Sequence, residues 1–115
     1  SQIILKKIEG YLTKYPSFYM IGNMYKYSED TALKELKGYI DSTYDQHYSK
    51  NRFQATEFII DGGHGEGFCI GNILKYAQRY GKKNGKDRSD LLKVIHYGII
   101  ALHINDMENL DNESK

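Results

Sequence analysis

Seven residues of this chain occur twice. Ile21-Gly22-Asn23-Met24-Tyr25-Lys26-Tyr27 returns 49 residues later as Ile70-Gly71-Asn72-Ile73-Leu74-Lys75-Tyr76, five identities in seven positions. The flanks extend the match: Glu9 and Glu57 precede the two copies, as do Phe18 and Phe68, and Leu33-Lys34 answers Leu92-Lys93. A duplicated unit of this size is too small to bury its apolar face alone, so two copies must pack on each other. The repeat therefore predicts an all-α chain of two related helical half-repeats packed as one small domain. Residues 1–46 are read as a degenerate first repeat, 47–105 as the second, and 106–115 as a flexible acidic tail.

The halves differ where function is expected. Between Lys-Tyr and Leu-Lys the first half has Ser28 to Ala32, whereas the second has the longer Ala77 to Leu91. That insertion is basic and carries Gly81 and Gly85.

Apolar spacing places helices over 2–14 (Ile4, Ile8, Tyr11, Leu12), 18–28, 30–43 (Leu33, Leu36, Ile40), 51–61, 68–81 and 89–105. Pro16 disfavours helical geometry just before itself, and Gly62-Gly63 and Gly81 are natural helix stops. Ser89 is the expected N-cap of the last helix. No stretch alternates with period two for long enough to predict a strand.

The 115 residues, 40% hydrophobic, suffice for one core. Sixteen basic residues against fifteen acidic ones give a formal charge of +1, which excludes a general duplex-binding protein. Cys69 is the only cysteine, so no internal disulfide forms, and its apolar neighbours predict a buried thiol. No apolar run reaches the roughly 18 residues of a membrane span, and the first residues read as an amphipathic helix, not as a signal peptide. A soluble, cytoplasmic protein with no membrane partner is the expectation.

Any anion site must then come from local clustering. Projected at about 100° per residue, Asn72, Lys75, Arg79 and Lys82 share one side of the 68–81 helix. Ile70, Ile73, Leu74 and Ala77 share the other, read as the core face. On the last helix Asp90, Lys93 and Tyr97 cluster, with Leu91, Leu92, Ile95, Ile99 and Leu102 read as its core stripe. An antiparallel hairpin across the Gly81–Arg88 loop would bring the polar faces together. Lys75, Arg79, Lys82, Lys83 and Lys93 would then surround a cleft containing Asp90. Arginine forks and lysine point charges suit phosphate; the competing reading is a solvated charged face.

The Gly62–Gly67 segment offers backbone N–H groups but fits neither the Walker pattern nor G-x-G-x-x-G, so a plain connection competes with phosphate contact. His47, His64, His96 and His103 show no zinc spacing, and no metal site is expected from the residues.

The second half resembles a family of small phage proteins long catalogued as a domain of unknown function, whose podovirus member is called a nucleotide kinase. The resemblance rests on His47-Tyr48, Glu57, the run Phe68 to Lys83 (F-x-x-G-N-x-x-K-Y-x-x-R-x-G-x-K), Asp90-Leu91-Leu92-Lys93 and Tyr97, about residues 47–104. Val94 departs from the small residue common there. It implies a protein of an infected bacterial host's cytoplasm that acts on nucleoside phosphates, as a (deoxy)nucleoside monophosphate kinase without a P-loop. By position, Lys75, Arg79 and Asp90 become candidate catalytic residues. His47, Tyr48, Asn72, Lys83, Lys93 and Tyr97 become ligand contacts, and Lys82 joins them from the basic face. An enzyme of this kind would use ATP and Mg²⁺, with Asp90 and Glu57 the nominated acids. The alternatives are a non-catalytic nucleotide-sequestering protein and a protein-interaction module. Small helical repeats commonly assemble, so a homo-oligomer is expected.

Overall fold

A computed structural model describes residues 1–14, 25–45 and 49–113, and every regular element among them is an α-helix. They are α1 (Gln2–Lys14), α2 (Glu29–Asp45), α3 (Ser49–Asp61), α4 (Gly65–Arg79) and α5 (Arg88–Glu113). The chain divides into two compact units, Ser1–Lys37 and Gly38–Lys115, with the division inside α2. Most of the first copy of the repeated heptad, and His47-Tyr48, lie outside the described residues.

In the first unit, the Ser1 carbonyl and hydroxyl accept the Leu5 and Ile4 N–H groups and cap α1. Its apolar residues Ile3, Ile4, Leu5 and Ile8 are exposed. Residues 25–28 do not continue the helix expected over 18–28. Ser28 takes a positive φ of 57° and its carbonyl accepts the Ala32 N–H, so α2 starts afresh at Glu29. The Glu29 carboxylate then takes the Tyr27 N–H at 2.8 Å.

The second unit is organised by a hairpin. α4 and α5 pack antiparallel, with Gly65 opposite Ile104, Phe68 against Tyr97 and Arg79 against Asp90. α3 runs into α4 through a Schellman turn: His64 N–H reaches the Ile59 carbonyl and Gly63 N–H the Ile60 carbonyl, both at 3.0 Å. Gly63 sits at φ +86°, the left-handed conformation that favours glycine at this cap. The chain turns so sharply here that α4 begins at Gly65, three residues before the sequence suggests. Gly65 is consequently a packing glycine at a helix start, crowded by Ile104 and Ile60.

At the other end Asp87, not Ser89, caps α5: its carboxylate accepts the Ser89 N–H at 2.9 Å. Both residue types cap well, and the turn that closes Gly81 N–H on the Gly85 carbonyl delivers Asp87 first. α5 also runs on through the segment expected to fray, as far as Glu113. Met107 and Leu110 continue the i, i+3 spacing from Ile104, and no glycine or proline interrupts it.

The faces expected to form the core of the hairpin are largely exposed. Ile70, Leu74, Ala77, Leu91, Ile95, Ile99 and Leu102 are exposed, while Ile73 and Leu92 are only half-buried. The buried residues are Cys69, Tyr76, Asp90 and Ile104. Aromatic rings pack in the seam alongside Ile104 and the half-buried Ile73 and Leu92. Tyr76 stacks parallel to Tyr97 (centroids 6.0 Å apart, planes at 12°), and Phe68 meets Tyr97 edge-on at 5.7 Å. Such rings bury a large area while presenting π faces to cations, and Arg79 and Lys93 are half-buried beside them while Lys75 stays exposed.

Candidate functional site

Tyr76 is the hub of the candidate site. Its ring lies between α4 and α5, and three cations gather over it: Lys75 Nζ at 4.9 Å from the centroid, Lys93 Nζ at 5.0 Å and Arg79 Cζ at 5.9 Å. Lys75 and Arg79 come from one helix, one turn apart, and Lys93 comes from the other. Like charges at this separation repel, and the ring's quadrupole offsets only part of the repulsion, about 0.5–1 kcal/mol per exposed contact.

Asp90 supplies one counter-charge. It occupies the first turn of α5, where the helix dipole favours an acid. Its side chain is 1% exposed, and Oδ1 stands 3.5 Å from Arg79 Nε, whose side chain is 24% exposed. This is an ion pair without a hydrogen bond. Arg79 Nε and both Asp90 carboxylate oxygens have no hydrogen-bond partner within the chain. Buried polar atoms are almost always satisfied, yet this pair is held by charge attraction alone among the described residues.

The remaining sequence candidates fall in different surroundings. Tyr97 joins the cluster through its stack on Tyr76. The Asn72 amide donates to the Phe68 carbonyl at 2.9 Å, four residues back. Lys82 and Lys83 are exposed on the tip, with Lys82 Nζ 3.5 Å from Gln78 Oε1. Glu57 is exposed on α3. His47 and Tyr48 lie outside the described residues.

Sequence reading passed over Tyr76 and His96. Tyr76 follows Lys75 in the repeated heptad, and a tyrosine between cations at i−1 and i+3 was the available signal. His96 makes an edge contact with Tyr39 at 6.0 Å and lines a niche with Thr43, Arg52, Phe53 and Tyr97. The niche, about 20 Å³, has room for one water but not for a nucleobase.

Three His, Cys, Asp or Glu side chains nowhere converge among the described residues. A lone carboxylate beside a guanidinium is a poor cradle for Mg²⁺, which prefers an oxygen-rich octahedral shell. Asp90 thus does not fit a metal held by the protein.

Two groups give the unit a defined response to acid. The Asp87 carboxyl is held below its ordinary range by hydrogen bonds from the Ser89 backbone and side chain, with smaller help from Lys93 and Arg79. A depressed acid stabilises above its unfolded pKa, and the contribution is lost as pH falls through the folded one. Burial, and then the Arg52 charge, pushes the His96 imidazole down. The folded chain therefore forgoes a proton that the unfolded chain takes up below about pH 6.5, and stability falls on acidification. Both groups act in one direction. Tm should drop between about pH 7 and pH 5, and His96→Gln should flatten that segment. A wild-type Tm independent of pH there would refute the assignment.

Residues 42–98 match the family model DUF3310, described as a protein of unknown function, so the chain carries a DUF3310 domain across that span. No curated protein and no solved structure matches the chain.

Proposed function

We propose that this DUF3310 domain binds the phosphate of a nucleotide, or of another small phosphorylated molecule, between α4 and α5. The observation that carries the reading is the gathering of Lys75, Arg79 and Lys93 over Tyr76, three cations against the single buried carboxylate of Asp90. A phosphate dianion relieves that surplus. Arg79, steadied by Asp90 on its Nε side, offers its two terminal nitrogens as a fork, and the lysines add point charges from either helix. The resemblance to phage nucleotide kinases supports a nucleoside phosphate as the ligand class.

Phosphoryl transfer is the second reading, and one observation favours it. Asp90 holds a buried carboxylate beside Arg79, a base for a substrate hydroxyl that enters when α4 and α5 part. Metal would then arrive with ATP instead of residing on the protein.

The test is a thermal-shift screen with nucleoside mono-, di- and triphosphates, cyclic nucleotides and inorganic phosphate, each with and without Mg²⁺. A ligand at about 100 times its Kd adds about 2.7 kcal/mol. Stabilisation by at least one nucleotide class, abolished in Lys75→Gln and Lys93→Gln, is the expected result. These lysines are preferable to Arg79 because their loss does not strand a buried charge. No shift with any compound overturns the nucleotide reading, and Mg²⁺-dependent turnover of a stabilising nucleotide would establish the second one.

A further inference from the structure

The outward face of the hairpin is apolar and unpartnered. Ile70 and Leu74 of α4 and Leu91, Ile95, Ile99 and Leu102 of α5 form it, with Leu74 and Leu102 64% and 65% exposed. Together the six side chains expose on the order of 600 Å², close to the roughly 800 Å² that each partner buries in a standard interface. Gly98 lies on the α5 part of this face, at helical spacing from Leu91, Ile95 and Leu102. A Cβ built there would meet nothing within 4 Å. A mid-helix glycine costs about 1 kcal/mol against alanine, and no neighbour among the described residues accounts for this one. A second helix crossing at that point would, since glycine lets backbones approach closely.

Charge along the hairpin says what that second helix is. The tip from residue 79 to 93 holds Arg79, Lys82, Lys83, Lys86, Arg88 and Lys93. Residues 53–74 and 94–113 contain no lysine or arginine but include Asp61, Glu66, Asp106 and Glu108. At that acidic end the apolar face runs into a cleft of about 200 Å³ lined by Glu66, Ile70, Ala101, Ile104, Asn105 and Glu108. The hairpin is therefore basic at one end and acidic at the other. Turned through 180° about an axis perpendicular to its length, a second copy lays its basic tip on the acidic end of the first, twice over. A parallel pair would set like charges together.

We infer that this face is the seam of a homodimer, two copies joined antiparallel as a four-helix layer, with the cation cluster left on the opposite side of each hairpin. The interface is isologous, as closed two-fold assemblies require.

Sedimentation equilibrium on the full chain decides it. The expected mass is twice the 13.3 kDa of one chain at micromolar concentration. Ile95→Glu or Leu74→Glu should raise the dimer dissociation constant at least about 100-fold, the effect of losing a central apolar contact. Both residues are exposed within one copy, so helical circular dichroism should be retained, and Gly98→Leu offers an uncharged variant that blocks close approach. Glu66→Lys with Glu108→Lys should weaken the dimer, and adding Lys82→Glu with Lys86→Glu should restore it. A monomer at all concentrations, or an assembly indifferent to Ile95→Glu, overturns the inference. Failure of the charge swap to rescue overturns the antiparallel arrangement.

Discussion

Replacing Arg79 with alanine should cost about 3 kcal/mol of unfolding free energy at neutral pH, the low end for breaking a buried ion pair from one side. The loss comes less from the missing attraction than from what remains. The Asp90 side chain, 1% exposed in the intact pair, would lose its ion-pair partner. Removing both charges should therefore hurt less than the two separate losses combined. The double variant Arg79→Ala, Asp90→Ala should recover about 1–2 kcal/mol relative to additivity. Urea unfolding of the four proteins at one concentration measures this. An Arg79→Ala protein as stable as wild type, or strict additivity, would show that water already reaches Asp90 and that the pair is loose.

The second large effect is expected at Gly65. A Cβ there would lie 2.7 Å from Ile104 Cδ1 and 3.1 Å from Ile60 Cγ1, inside van der Waals contact with two side chains at once. Ile104 is one of the few buried residues of the unit, so it has little room to retreat. Gly65→Ala should cost about 2 kcal/mol, typical of overpacking. Gly67→Ala, two residues on with nothing within 4 Å, should instead gain about 0.5–1 kcal/mol from helix propensity. Thermal unfolding of the two variants should thus shift in opposite directions. Equal shifts would mean that the helices adjust freely and that glycine at 65 is incidental.

The helices were readable because their signals are local. The stops at Gly62-Gly63 and Gly81, and the apolar spacing of 2–14, 30–43 and 89–105, act within a few residues. Which side of each helix turns inward is not local. Ile70 and Leu74 define an apolar side of α4 unambiguously, but periodicity reports only that two sides differ. Assigning the apolar side to the interior assumes that aliphatic packing decides, and here Tyr76, Tyr97 and Phe68 decide instead. Arg79 and Lys93 lie half-buried beside those rings, and Lys75 stays exposed over Tyr76. The pattern therefore separated the two stripes correctly but misplaced the apolar one in the interior. The Asp90 pairing was foreseeable as an acid among cations, yet its burial was not, because burial of a charge depends on partners eleven residues away. Asn72 adds a bond that no stripe announces: its amide donates to a backbone carbonyl one turn back.

Cys69 gives the hairpin a built-in reporter. It is wholly buried in the α4 seam, the chain has no other cysteine, and burial raises its thiol pKa, which suppresses the reactive thiolate. A disulfide reagent can consume it only in moments when the helices part, so the labelling rate counts those openings directly. An anion spanning Lys75 on one helix and Lys93 on the other would hold the two together and slow the clock. Occupancy of the site would then be visible as protection of a sulfur atom that touches no ligand.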